Sequence, residues 1–436
     1  MKLIEENRNN FWDKVANEYY GKQGFCSDHL HCDKEIDQQS LFESVVKCCD
    51  QHEDGKWGVR LYLNGEEILD GRSTDRSEKV RHLFPTLGDC SFEAYNQRME
   101  SLGHEYCLVI NDIERVDYPI WDWSRRFLSP LFHRRGMNHM GIFYCVFVGN
   151  YKKTIFGVHF DPECVFQIPV IASKKMRLWN SEYVQSHPEI RESMDYDSHL
   201  SESTTIEANP GGFNCWPKKN WHIAESDGHF HVSLALALQE YSDITPYLIN
   251  NVICKQLNER RELIDHFEYE GLPDEKLQQV PLHIDPDDLV HSAAQIPESF
   301  LSSFRTIHEK LSTKNKEAFW MRLATAYGFT TCPEPILRES LPILSESSTF
   351  SVEQEFPIIF KRMGDGSLLI AANGHVYEVK YLDWYEQIIT SLNTGKRVSQ
   401  KYLMNFVTEN ELDKFNQFIR NMISIRAVVC HDHESK

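Results

Sequence analysis

No run of eighteen or more apolar residues interrupts the 436-residue chain, so a membrane-spanning helix is not expected. Met1 to Arg8 lacks the long apolar region of a secretory signal, and the expected location is cytoplasmic. The 12 cysteines form neither a repeating framework nor a paired C-x-x-C motif, which argues against a disulfide-stapled scaffold and leaves reduced thiols in an intracellular protein. Two small clusters, Cys26 to Cys32 with His29 and His31, and Cys430-His431-Asp432-His433, lack the paired spacing of a structural zinc site. Basic charge is scarce too. Lys and Arg number 46 against 65 Asp and Glu, a formal net charge of -19. Such a chain is poorly made to neutralise nucleic-acid phosphates and suits a basic or polar polypeptide better.

What is present is ordinary in bulk: 41% hydrophobic and 25% charged residues, in a length that accommodates two or three domains and a sizeable core. The informative stretch runs from Gly157 to Leu238. It opens on Gly157-Val158-His159-Phe160-Asp161 and closes on Trp221-His222-Ile223 and the alternating run His231 to Leu238. Two histidines and a carboxylate are the ligand types of the facial triad that leaves coordination positions open on non-haem iron. In a β-strand, residues i and i+2 share a face, so the spacing predicts that His159 and Asp161 both point inward from one strand. A third ligand comes from a distant antiparallel strand. His187, His199, His229 and His231 compete with His222 for that role on residue type alone.

Further residues extend the pattern. Phe166 and Gln167 fall in the strand after the pair, Ser173-Lys174-Lys175-Met176-Arg177-Leu178-Trp179 follows, and Pro217 precedes Trp221-His222-Ile223. Together these resemble the JmjC-type, cupin-like Fe(II)/2-oxoglutarate dioxygenases, among them the asparaginyl hydroxylases and ribosomal oxygenases. The resemblance covers roughly residues 85 to 240 by motif and the remainder by order of elements. It implies that His159, Asp161 and His222 hold Fe(II), and that Lys174 pairs the far carboxylate of 2-oxoglutarate, with Lys175 as the fallback. A long cation inside an apolar barrel is costly unless it meets an anion. Ala172 and Ser173 replace a glycine-containing turn, and Phe156 stands where some asparaginyl hydroxylases have threonine. Tyr144, Asn150, Thr154 and Ser233 are the candidates for the other co-substrate contacts. The intact aspartate separates the chain from halogenating relatives.

The expected fold is mixed α and β, with a double-stranded β-helix core of the cupin or jelly-roll kind. Residues 1–84 read as an N-terminal α/β cap, with helices near 11–20 and 41–49 and a strand from Val59 turning at Asn64-Gly65. Residues 85–240 form the catalytic barrel, with helices at 92–99 and 119–132, strands at 106–110 and 140–148, and a polar insertion at 180–208. Helical spacing at 244–267 and 297–327 makes 241–345 a helical region suited to dimerisation. Residues 346–436 resemble a winged-helix domain, for which the acidic chain favours contact with protein over DNA.

The resemblance implies an oxygenase that uses Fe(II), 2-oxoglutarate and O2 to hydroxylate a side chain of a peptide or protein, with succinate and CO2 as co-products. Its rivals are tailoring of a small molecule or short biosynthetic peptide, demethylation of N-methyl-lysine, and a non-catalytic cupin-like binding protein.

Overall fold

The computed structural model describes residues 2–3, 8–32, 35–51, 58–69, 78–138, 140–218, 220–226, 228–240 and 313–431. They divide into two compact units. The first holds the described residues up to 240, apart from 136–138, which group with the second.

In the first unit the described strands are β1 (Lys2–Leu3), β2 (Phe25–Ser27), β3 (Val59–Leu63), β4 (Glu66–Leu69), β5 (Tyr106–Asn111), β6 (Ile142–Gly149), β7 (Glu163–Ile171), β8 (Lys174–Asn180), β9 (Thr204–Ala208), β10 (Phe213–Trp216), β11 (Asn220–Glu225) and β12 (His231–Gln239). The helices are α1 (Arg8–Lys14), α2 (Gln38–Asp50), α3 (Glu78–Arg81), α4 (Phe92–Ser101), α5 (Tyr118–Arg135) and α6 (Ser181–Ser186). Local chemistry places several of the boundaries. Asp37 and Ser91 cap α2 and α4 by accepting from Ser40 N and Ala94 N. Asn64 and Gly65 both take positive φ, 52° and 86°, the conformation a two-residue hairpin between β3 and β4 requires.

Nine strands make one sheet in the order β1-β2-β10-β7-β12-β6-β5-β3-β4, and β11-β8-β9 make a second. The pairings are antiparallel except β1 with β2. Residues 1–84 therefore contribute four strands to the large sheet. Val165, Trp216 and Ala235 from the large sheet pack with Met176, Leu178 and Ala224 from the small one, so the two sheets face each other across a shared core, as in a cupin-like barrel. On β12, alternation turns Ser233, Ala235 and Ala237 inward while Leu234, Leu236 and Leu238 face the other way. The inner wall of that central strand is made of small side chains.

The stretch expected to be a polar insertion differs in one respect. Its last part, Thr204–Ala208, is β9, which pairs Lys174 to Leu178 of β8 and forms the edge of the small sheet. Its exposed Thr204, Thr205 and Glu207 gave it a loop-like composition, yet Ile206 and Ala208 are buried. Polar outward residues on a half-buried strand obscure its period.

The second unit contains α7 (Thr313–Thr325), β13 (Thr349–Ser351), β14 (Ile359–Arg362), β15 (Ser367–Ala372), β16 (His375–Lys380), α8 (Asp383–Leu392), β17 (Val398–Ser399), α9 (Gln400–Met404), α10 (Leu412–Ser424) and β18 (Val429–His431). Its sheets are β17-β13-β18 and β14-β15-β16. Phe350, Ile370, Trp384, Ile388, Phe415 and Ile419 lie in its core. The helix expected at 244–267, and the part of 297–327 before 313, lie outside the described residues. Among the described residues no helix is long and apolar enough to cross a membrane.

Candidate metal centre

His159, Phe160 and Asp161 do not sit in a strand, which corrects the expectation drawn from their spacing. They occupy the link between β6 and β7, where Gly157 has a φ of 66° and Pro162 immediately precedes β7. Pro162 has no N–H to give to a ladder, and the left-handed Gly157 turns the chain just before the pair. A single antiparallel bridge fixes the register. His159 N donates to His222 O at 2.9 Å and His222 N to His159 O at 2.7 Å. The two histidines are thus directly opposed, and their rings lie 4.3 Å apart. Gly157 also allows a close approach from behind: a Cβ there would lie 2.3 Å from the carbonyl oxygen of Glu192.

Both imidazoles are oriented in the same way. His159 Nδ1 donates to Gly157 O at 3.0 Å and His222 Nδ1 donates to Asn220 O at 3.1 Å. Backbone acceptors on Nδ1 leave each Nε2 free as a ligand atom. Those Nε2 atoms face Asp161 Oδ2, at 3.2 Å from His222 and 3.9 Å from His159. One ligand atom from each of the three residues falls within 4.8 Å of the others, and among the described residues this is the one such group. The side chains of His159 and Asp161 keep 25% and 37% exposure while His222 keeps 3%, so the centre opens to solvent on one side.

Electrostatics suit a cation. Removal from water, then the neighbouring His222, bring the His159 imidazole down to about 4, which keeps it neutral and ready to ligate. For Asp161 desolvation pushes upward, but the hydrogen bond and charge of His222, followed by the charge of His159, outweigh it and hold the carboxyl at about 2. Two imidazoles and one carboxylate, open on one side, can hold a divalent metal by one face.

Lys174 lies elsewhere in the same interior and is 1% exposed. Its Nζ donates to Tyr151 Oη at 2.8 Å and to His231 Nε2 at 2.7 Å, and lies 4.4 Å from the centre of the Tyr151 ring. His231 Nδ1 donates to His229 O, which leaves its Nε2 as an acceptor. Burial, then the charge of Lys174, keep the His231 imidazole well below its ordinary value. Burial brings the Lys174 ammonium down to about 7. An ammonium has three N–H donors, two are used, and among the described residues no carboxylate pairs with it. Ser233 Oγ, Gln167 Oε1 and Asn214 Oδ1 are buried without hydrogen-bond partners. All three side chains project from the inward faces of β12, β7 and β10. A buried polar group without a partner costs about 1–3 kcal/mol, and these three line the same interior as Lys174.

Lys174 and Tyr151 can offer donors to an anion, and the metal centre can offer coordination positions to a second group. Tyr151 and His231 were missed as parts of this pocket. Tyr151 stood in a polar turn, and His231 counted only as a reserve metal ligand. Its signal was the inward register of the His231, Ser233, Ala235 alternation. Lys175, the fallback, reaches outward to Glu225 at 3.1 Å.

Two co-substrate candidates are corrected. Tyr144 lies on the opposite face of β6 from Cys145 and Phe147, and its hydroxyl meets Ser124 of α5 at 2.8 Å. Asn150 ties the strand ends together, accepting from Tyr106 N and donating to His104 O. Thr154 lies beside the metal strand with its hydroxyl accepting from Ala224 N. His187 and His199 pack with Tyr183 in the insertion, away from the three ligands.

No protein-family model matches the chain, and no curated protein matches it by sequence. Among solved structures, the ribosomal oxygenase YcfD of Escherichia coli is similar over 99% of this chain and 100% of its own, at 13% identity and a TM-score of 0.46. The same protein in complex with cobalt and 2-oxoglutarate is similar over 97% and 98%, at 12% identity and a TM-score of 0.44. An oxalate decarboxylase of Bacillus subtilis, OxdC, is similar over 38% of this chain and 36% of its own, at a TM-score of 0.18. At these scores the likenesses carry no weight for activity.

Proposed function

We propose that this chain is an Fe(II)- and 2-oxoglutarate-dependent oxygenase that hydroxylates a side chain of a peptide or protein, releasing succinate and CO2. One observation carries the reading. Lys174, fully buried and without an acidic partner, shares an interior of unpartnered polar atoms with a 2-His-1-carboxylate centre. A purely structural barrel has no use for so costly a set.

When bound, iron and 2-oxoglutarate together supply the activation of O2 and the oxidative decarboxylation that drives hydroxylation. The chain supplies placement. His159, Asp161 and His222 would hold the metal, with Gly157 O and Asn220 O fixing the ring orientations. Lys174 and Tyr151 orient the far carboxylate of the diacid by charge-assisted hydrogen bonds. His231 stays neutral and accepts from the ammonium, so it steers that donor without adding charge. Trp216, its ring 5.0 Å from that of His222, and the apolar core around Met176 and Leu178 keep water from the buried side.

For the second unit, helices α8, α9 and α10 beside the sheet β17-β13-β18 support a winged-helix-like reading with a protein-contact role. A homodimer through the 241–345 region and a cytoplasmic location belong to the same proposal.

The test is anaerobic titration with Fe(II) and 2-oxoglutarate, following the visible charge-transfer band of the chelate, then succinate release in air with candidate peptides. A band and peptide-stimulated succinate support the reading. An iron-loaded protein with neither band nor succinate returns the barrel to a binding role.

A further inference from the structure

Arg60 of β3 is unlike the other cations around this interior. It alternates with Tyr62, whose side chain packs inward with Cys107, Val109 and Tyr151, and it is in register with Val109 of β5, itself opposite Phe147 of β6. Its guanidinium carbon lies 5.3 Å from the centre of the Phe156 ring, and that ring packs edge-on at 5.6 Å against His159. Arg60 thus reaches toward the metal centre with the Phe156 ring between it and His159. Among the described residues it has no ion pair, and its Nε is buried without a hydrogen-bond partner. The face of Phe156 stabilises the cation weakly but satisfies none of its five N–H donors.

The charges of the proposed site leave that cation over. A divalent metal, the Asp161 carboxylate, a dicarboxylate and the Lys174 ammonium add to neutrality. Arg60 is then one positive charge without a counterpart, and a planar fork of donors is the group that best receives a carboxylate. The diacid does not serve as that counterpart, since its two ends go to the metal and to Lys174.

We propose that Arg60 receives a carboxylate of the substrate, so that the preferred substrate carries an acidic group beside the atom that is hydroxylated. This rests on the oxygenase reading above. It refines the expectation from bulk charge: a chain of net charge -19 can attract a polypeptide that is basic overall, while the residue seated at the metal centre is flanked by an acid.

The test separates the two readings. The Fe(II) and 2-oxoglutarate band with succinate release in wild type decides the oxygenase reading separately. For Arg60, the protein is loaded with Zn(II) and 2-oxoglutarate, so that no turnover occurs. Capped tripeptides are then titrated calorimetrically as Glu/Gln and Asp/Asn twins, with a phosphoserine peptide as a third arm. Wild type is expected to bind the better acidic twin about ten-fold or more tightly than its amide, the size of one charge-assisted pair. Arg60→Met, which keeps an apolar stem against Phe156, loses the preference. Arg60→Lys keeps part of it, and both variants still form the chelate band, which separates lost recognition from lost folding. Equal binding of the twins, no binding by any acidic peptide, a preference that survives in Arg60→Met, or tighter binding of phosphoserine than of either acid overturns the proposal.

Discussion

The barrel interior has two polar regions, and they differ in how complete they are. At the metal centre each group has a neighbour: Nδ1 of both histidines meets a backbone carbonyl, and Nε2 of both faces Asp161. Around Lys174, among the described residues, the ammonium has no acid, and Ser233 Oγ, Gln167 Oε1 and Asn214 Oδ1 have no partner. The first region is a set of facing ligand atoms open on one side. The second is the dry one, with Lys174 at 1% exposure against 37% for the Asp161 side chain. One region presents a carboxylate and the other an ammonium, and the proposed guest would bridge the two.

The largest expected effect comes from breaking the metal region. Asp161→Ala removes the only charged ligand, so Fe(II) affinity should fall by more than about 100-fold, beyond the range seen when groups behind a ligand are removed. Isothermal titration with Fe(II) under argon checks it, and the chelate band should vanish. Thermal melting of the metal-free variant should fall modestly, because a carboxyl held down at about 2 contributes to stability at neutral pH, and circular dichroism checks that the fold is kept. Retained affinity would mean that the metal is held elsewhere.

Breaking the other region should leave the metal in place. Lys174→Met is expected to weaken 2-oxoglutarate by roughly ten- to hundred-fold, the loss of a charge-assisted bond in a dry site, with Fe(II) affinity unchanged. The pH dependence sharpens the contrast. Lys174 is held down at about 7 in the free protein, and a bound carboxylate favours its charged form, so binding takes up a proton above that pH. The dissociation constant for 2-oxoglutarate should therefore rise with pH above about 7, by up to ten-fold per unit, and the dependence should disappear in Lys174→Met. Stability runs the other way. A lysine whose folded value is depressed leaves the unfolded chain binding more protons between about 7 and its ordinary value near 10.4. Wild-type stability should rise with pH across that window relative to Lys174→Met, as chemical denaturation of both proteins at several pH values would show.

How far the sequence carries differs between the same two regions. The metal ligands were legible because residue type and spacing limit them to a few histidines and one H-x-D pair, and the structure brings the three together. Their backbone was not legible: i and i+2 spacing predicts a strand, while Pro162 and Gly157 enforce a link held by one bridge. Lys174 stands out by motif, and the structure buries it in the interior. Its partners do not stand out, since Tyr151 and His231 are 80 residues apart in sequence and meet at 4.5 Å only through the pairing of β12 with β6. Tyr144 and Asn150 failed for a related reason. Tyr144 lies within β6, where one-residue parity decides between the interior and α5, and Asn150 just past its end is taken up by Tyr106 N and His104 O.

The smallest effect tests whether the unpartnered atoms near Lys174 belong to the guest or are only gaps in packing. In Ser233→Ala the hydroxyl leaves a site where nothing in the protein receives it. If that Oγ serves only the folded chain, the substitution relieves a buried unsatisfied group and the metal-free protein becomes more stable by about 1 kcal/mol, with 2-oxoglutarate affinity unchanged. If it serves a bound carboxylate, affinity falls by about three- to ten-fold, the value of one neutral hydrogen bond, while the metal-free melting temperature still does not fall. Titrating the variant beside wild type at pH 6.5, where Lys174 is mostly charged, isolates the hydroxyl from the lysine. An unchanged dissociation constant there would confine the diacid contacts to Lys174 and Tyr151 and leave the rest of that pocket to water.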